Sequence, residues 1–198
     1  MTEPEHRVVV EGSRIITPRL VLRPWTVDDA EAALRVYGAE NVAQWLAPAM
    51  ERVADTAAMR TVLEQWVTSA GALEAPTGRW AIELRDGGSV VGGVVLLPLP
   101  PDRRDLEIGW QLAPDIWGQG LAAEAGHAVA HYAFESGVEE LFAVVRPRNE
   151  RGAATARRVG MEWVGETDKY YGLRLQVFRL RPGDLDVPAL RPEQRPAV

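Results

Sequence analysis

Two glycines one residue apart, Gly118 and Gly120, sit where a strand pattern gives way to a helical one. Leu106, Ile108, Trp110 and Leu112 alternate with Glu107, Gly109 and Gln111, which is the period of a strand. Pro114 cannot donate to a ladder and ends it. Beyond Gly120, Leu121, Ala125, Ala128, Val129 and Tyr132 share one face of a helix. The turn Trp117-Gly118-Gln119-Gly120-Leu121-Ala122 therefore carries the chain from strand to helix. Glycines let the backbone approach a ligand closely, and the first N–H groups of a helix have no internal partner. With the positive helix end behind them, those groups suit a phosphate.

Residue types remove several other chemistries. The chain has no cysteine, so no disulfide, thiolate nucleophile or four-thiolate zinc site can form. No Gly-x-Ser-x-Gly occurs, which leaves a serine acyl-enzyme unsupported. His127 and His131 lie four apart, but no acidic residue completes a His-Glu-x-x-His arrangement, so no metal is expected. A Walker loop needs Gly-Lys-Ser/Thr, whereas Leu121 and Ala122 follow Gly120. A dinucleotide fingerprint stays open: Gly118-x-Gly120-x-x-Ala123 has its spacing, and Arg146 ends the next strand where an arginine could meet a 2′-phosphate. Against it, residues 113–117 separate the strand from Gly118, and no run of further βα units flanks the motif.

The elements that must position this turn can be taken in order. Residues 1–14 look like a flexible arm. Leu20–Trp25 is a first strand, confined to an edge or end by Pro18 and Pro24. Thr26 and Asp29 form a capping box for a helix ending at Gly38. Residues 41–50 look irregular. Asp55 caps a second helix to Ser69 with Met59, Val62, Leu63 and Trp66 as its apolar stripe. Strands at 79–84 and 90–97 join through Asp86-Gly87-Gly88, and the strand ending at Leu112 follows. After the central helix come a strand at 141–145, apolar throughout and so expected to be buried on both faces, a helix at 153–159, and strands at 162–165 and 173–181. Residues 182–198, with four prolines, look like a disordered tail. The order β-α-α-β-β-β-α-β-α-β-β, a meander followed by one βαβ crossover, predicts an α+β fold with a mixed sheet in a single domain over 15–181.

Composition agrees with one globular domain: 198 residues, 46% hydrophobic and 25% charged. The start has no signal-peptide pattern and no run of ~20 apolar residues occurs, so no membrane span and a cytoplasmic location are expected. A formal net charge of -6 disfavours nucleic acid and mildly favours cationic partners such as amines.

Four segments resemble the GNAT superfamily of acyl-CoA N-acyltransferases, in particular its branch that acetylates the N-termini of ribosomal proteins. They are Thr17–Ala30 (TPRLVLRPWTVDDA), Leu106–Ala125 (LEIGWQLAPDIWGQGLAAEA), Val145–Met161 (VRPRNERGAATARRVGM) and Tyr170–Leu180 (YYGLRLQVFRL). The resemblance implies a central mixed, mostly antiparallel sheet with helices on both faces. It implies transfer of an acetyl or other short acyl group from acetyl-CoA to a primary amine, by direct attack in a ternary complex. The acceptor would be a protein N-terminus or a small molecule. A non-catalytic acyl-CoA-binding protein on the same fold is the alternative.

The same resemblance distributes roles. The N–H groups of Trp117, Gly118, Gln119, Gly120, Leu121 and Ala122 would cradle the CoA pyrophosphate, although Asp115 stands where the family usually has Gln or Arg. The Leu112 N–H would polarise the thioester, at a splay between the central strand and its parallel neighbour. Glu107 would act as base. Asn149 would bond the pantetheine arm, and its other role is to cap the helix that follows. The family's usual thiolate-protonating positions hold Ala156 and Gly152, which leaves Tyr170 and Tyr171 as candidates. Arg146, Arg148, Arg151, Arg157 and Arg158 could meet the CoA 3′-phosphate or be a solvated face. The acceptor pocket would come from residues 37–69 and the 168–173 turn, and a homodimer could pair through the last strands.

Overall fold

The computed structural model describes residues 8–185. In chain order its elements are β1 (Val9–Glu11), β2 (Arg14–Ile16), β3 (Leu20–Pro24), α1 (Ala30–Tyr37), α2 (Glu40–Ala43), α3 (Thr56–Ser69), β4 (Gly78–Leu84), β5 (Val90–Pro98), β6 (Leu106–Leu112), α4 (Leu121–Glu135), β7 (Leu141–Val145), α5 (Glu150–Val159), β8 (Glu162–Thr167), β9 (Leu175–Leu180) and α6 (Pro182–Leu185). The strands form one nine-stranded sheet in the order β1-β2-β3-β4-β5-β6-β7-β9-β8. Among the described residues only β6 and β7 pair in parallel; every other neighbouring pair is antiparallel. The expected α+β fold with a mixed, mostly antiparallel sheet is what the chain adopts.

The helix starts follow the side chains that cap them. The Ala58 N–H donates to Asp55 Oδ1 at 2.8 Å, closing the first turn of α3. Ahead of α1, the Thr26 N–H donates to Asp29 Oδ2 at 2.8 Å, and Arg23 holds the same carboxylate through two nitrogens at 2.8 and 2.9 Å. These bonds satisfy donors that a helix leaves open and fix where α1 leaves the sheet.

Strand alternation then divides the core. Trp80 and Ile82 pack with Val94, Leu96 and Ile108 beneath α4, while Ala81 packs on the opposite face with α1 and α3. Ile82, Leu96 and Ile108 are fully buried, each worth ~2 kcal/mol. On the α1 face, a Cβ at Gly93 would stand 2.4 Å from the Tyr37 hydroxyl oxygen, so this position lets α1 approach the sheet.

Several expectations change. The supposed N-terminal arm is a hairpin from residue 9 onward, β1 against β2, with Ile15 buried across from Leu22; three-residue strands give too short an alternation to detect. Residues 1–7 of the arm and 186–198 of the tail lie outside the described residues. The segment expected to be irregular begins inside α2, and 182–185 form α6. β7 is not buried on both faces: Leu141, Ala143 and Val145 are buried, while Phe142 and Val144 lie partly open beside the Tyr170–Leu173 turn. Among the described residues no helix is long and apolar enough to cross a membrane.

One irregularity matters most. β6 pairs with β5 along its whole length, but its register with β7 is the single pair Glu107↔Phe142. The two parallel strands separate beyond that point.

Candidate active site

The separation of β6 from β7 exposes backbone. The Ala113 N–H donates to Val91 on β5 at 2.9 Å. By alternation, the N–H groups of Trp110 and Leu112 point the other way, toward the open edge. The Leu112 carbonyl on that edge accepts the Trp117 indole N–H at 2.9 Å, which folds the following turn back against the strand.

The turn itself leaves the start of α4 without a side-chain cap. Gly118 and Gly120 have φ values of 84° and 77°, left-handed conformations that cost a residue with a Cβ about 1–2 kcal/mol. Gly120 occupies the N-cap position of α4 and no side chain caps the helix. The first internal bond from its cap runs from the Glu124 N–H to the Gly120 carbonyl at 3.0 Å. The N–H groups of Leu121, Ala122 and Ala123 are therefore left without intrahelical acceptors. They open on a cleft of about 690 Å³ that Asn149, Arg148, Arg151 and Arg158 also border. The Arg151 guanidinium stacks 4.2 Å from the Trp117 ring centroid. Of the remaining arginines in that cluster, Arg157 lies over Phe178 and the Arg146 guanidinium donates to the Ala47 carbonyl.

A tether behind the turn was not anticipated. Glu124 accepts from the Thr17 hydroxyl at 2.6 Å, from the Arg19 N–H at 3.0 Å and from Arg19 Nε at 2.6 Å; Arg19 Nη1 donates to the Gln119 carbonyl at 2.9 Å. The start of β3 thus clamps the first turn of α4. Thr17, Arg19 and Glu124 all lie within segments that resemble the family, but nothing in one sequence joins them.

A second cleft, about 890 Å³, opens on the α1–α3 face of the sheet. Its walls come from Tyr37, the chain between α2 and α3, Trp66 and Tyr171, and its floor from Glu107, Gly109 and Gln111 of β6. Trp45, Trp110, Gln111 and Asn149 border both clefts, so the two meet where β6 leaves β7. Trp66 also packs on Trp25 and Tyr37 at ring centroid distances of 5.9 and 5.3 Å, combining a core role with a wall role.

Glu107 is half-buried on this floor. Desolvation pushes its carboxyl up to about 7, and the hydrogen bond donated by Tyr171 at 2.8 Å draws it partly back. Tyr171 holds a left-handed φ of 56°, a conformation with a cost for a bulky residue. Its phenol is raised above the ordinary value, first by burial and then by Glu107. The turn is pinned by its neighbours: Tyr170 donates to Asp105 at 2.6 Å, and Lys169 reaches the same carboxylate at 2.8 Å. Of the two tyrosines, only Tyr171 borders the cleft. Tyr170 is buried with Leu99 and Leu175, its phenol pushed up to about 12 by burial and Asp105. Asn149 caps α5, accepting from the Gly152 N–H at 2.9 Å through Oδ1; its amide nitrogen is left for the cleft. Ala156 is fully buried and supplies nothing. Among the described residues no group of three or more acidic or histidine side chains could hold a metal ion.

Arg79 and Gln111 were not foreseen as cleft residues. Their positions emerge only when the registers of β4, β5 and β6 place one face of three strands together.

Comparison with known proteins identifies the family and the fold. The family model described as "Acetyltransferase (GNAT) domain" matches residues 19–162. The chain is 28% identical over 156 residues to the uncharacterized N-acetyltransferase YoaA of Bacillus subtilis (strain 168), covering 78% of this chain and 85% of that protein. The structure of Mycobacterium smegmatis RimJ in complex with CoA-disulfide superposes with a TM-score of 0.70 at 20% identity, over 93% of this chain and 88% of that one. The microcin C7 self-immunity acetyltransferase MccE, in complex with acetyl-CoA and AMP, gives a TM-score of 0.70 at 18% identity, over 86% and 97%. Both of these structural likenesses concern the fold.

Proposed function

Since the chain belongs to the GNAT acetyltransferase family, we propose that it moves an acetyl group from acetyl-CoA to a primary amine by direct attack in a ternary complex. The observation that carries this reading is the meeting of two unlike clefts at the place where β6 leaves β7. One has an uncapped helix start; the other has a half-buried carboxyl on its floor.

In the donor cleft, the N–H groups from Gly118 to Ala122 hold the CoA pyrophosphate, as a helix start holds an anion. Arg148, Arg151 and Arg158 add charge for the remaining phosphate. The Leu112 N–H, with Trp110 beside it, faces the thioester oxygen as negative charge develops there; one such fixed donor is worth ~3 kcal/mol. The Asn149 amide serves the pantetheine arm.

In the acceptor cleft, the amine nitrogen attacks the thioester carbon. A C–N bond forms, the C–S bond breaks, and Glu107 takes the nitrogen's proton directly or through one water. A carboxyl that burial pushes up to about 7 suits this task at neutral pH. CoA leaves as a thiolate and is then protonated; a thiol pKa of ~8.5 makes this an accessible leaving group. The net products are an N-acetyl amine and CoA thiol. Tyr171 orients the base, and Tyr170 anchors the turn through Asp105. With no cysteine in the chain, no acetyl-thioester enzyme intermediate is invoked. A homodimer, if formed, would use the β8 edge, where Trp163 and Val164 are exposed.

The test is thiol release from acetyl-CoA against a panel of peptide N-termini and small amines. Amine-dependent release supports an enzyme. Acetyl-CoA binding without release from any acceptor would instead make the chain an acyl-CoA-binding protein.

A further inference from the structure

Two arginines on the same sheet face are treated very differently. Arg23 on β3 bonds Glu83 at 2.6 Å and Asp29 at 2.8 Å. Arg79 on β4 is half-buried, yet among the described residues no carboxylate forms an ion pair with it. Its guanidinium lies 5.9 Å from the centroid of the Trp66 ring. A cation–π contact of that kind offsets only part of the cost of desolvating a charge. The cost appears as a lowered Arg79 pKa, attributed to burial, with Tyr37 as a minor opposing influence. Packing alone does not account for an unpaired arginine at this place.

Its location supplies the reason. Arg79 pairs across to Val95, and Val95 to Gly109, so these residues share one face of the sheet. Glu107 and Gln111 flank Gly109 on that same face. All of them border the acceptor cleft. Two strand spacings and two residues of rise separate the Cα atoms of Arg79 and Glu107 by about 12 Å. Val95 on β5 stands between them, and Gly109, beside Glu107 on β6, adds no side chain of its own where a Cβ would stand 3.2 Å from Val95 Cγ2. A base stands at one end of the cleft floor and an aromatic-backed cation without a carboxylate partner at the other.

We propose that Arg79 binds an anionic group on the acceptor, so that the acceptor is an amine carrying a carboxylate or phosphate several bonds from its nitrogen. A guanidinium offers both groups the same two-pronged hydrogen bonding. This rests on the acetyltransferase reading above and narrows its substrate class.

The experiment is steady-state acetyl transfer with matched acceptors: amino carboxylates against their amides, phosphorylated amino alcohols against the parent alcohols, and peptides with acidic or neutral residues after the N-terminus. The wild-type protein is expected to prefer the anionic member of at least one pair by about 10- to 100-fold in kcat/KM, the size of a charge-assisted hydrogen-bond pair. The carboxylate and phosphate arms identify which anion it is. Arg79→Gln should bring that preference close to unity through KM, leaving kcat and acetyl-CoA affinity unchanged, and Arg79→Lys should restore part of it. Unchanged acetyl-CoA affinity shows that the variant is folded. Equal use of both members of every pair, or a preference that survives Arg79→Gln, overturns the proposal while leaving the acetyltransferase reading intact. Absence of turnover with every amine overturns both.

Discussion

The cleft proposed for the acyl donor and the cleft proposed for the acceptor meet at one strand but are made of different material. The donor side is largely backbone: a turn through Gly118 and Gly120, the open start of α4 and the free edge of β6. The acceptor side is side chains drawn from β4, β6, the α1–α3 region and the turn before β9. Backbone donors are the same whatever residue carries them, so a site made from them is set by chain path. A site made from side chains depends on identity and register, and can change acceptor while the fold and donor site stay fixed. The two clefts should therefore respond separately to substitution.

The largest expected separation is at Glu107. Glu107→Gln should lower kcat by about 10²- to 10⁴-fold, the range for removing a general base, with acetyl-CoA affinity unchanged. A parallel loss of acetyl-CoA binding would merge the two sites. Stability should move the opposite way. A carboxyl whose folded pKa is raised from 4.5 to about 7 lends stability below ~4.5 that is lost as pH rises through ~7. Thermal melts should show Glu107→Gln gaining on the wild-type protein at pH 8 relative to pH 4, by on the order of 1 kcal/mol.

A smaller effect sharpens the acceptor side alone. kcat/KM should rise with pH as Glu107 ionises near 7. The Tyr171 hydrogen bond lowers the Glu107 pKa, so Tyr171→Phe should shift the inflection of that profile to higher pH. An unmoved inflection would mean that Glu107 is not the group being titrated.

The smallest effect falls on the donor side. Glu124→Ala removes the clamp on Thr17 and Arg19 and leaves the buried Thr17 hydroxyl without its carboxylate partner. It should cost about 1–2 kcal/mol of stability and weaken acetyl-CoA about threefold, with the pH profile unchanged. A shifted profile would show that the clamp acts on the acceptor side as well.

This contrast explains what the sequence disclosed. The strand–turn–helix around Gly118 and Gly120 was legible because period, proline and glycine all act locally. The Asp55 cap and the order of the main elements were legible for the same reason. β1, β2, α2 and α6 escaped because three or four residues carry too little pattern. The burial of β7 was misjudged because its apolar outer face, Phe142 and Val144, is covered in part by a turn about thirty residues later. Arg79 could not be found at all. Its meaning lies in the carboxylate it lacks and in a glycine two strands away, both products of register.

Everything proposed for the donor rests on the turn Trp117–Ala122 binding acetyl-CoA through backbone groups. Calorimetric titration of acetyl-CoA into the wild-type protein and into Gly120→Val tests it most directly. Gly120 has a φ of 77°, so a β-branched residue there must distort the turn. The wild-type protein should bind with micromolar affinity, ~8 kcal/mol, and the variant at least tenfold more weakly. Failure of the wild-type protein to bind acetyl-CoA, or equal binding by Gly120→Val, would contradict it.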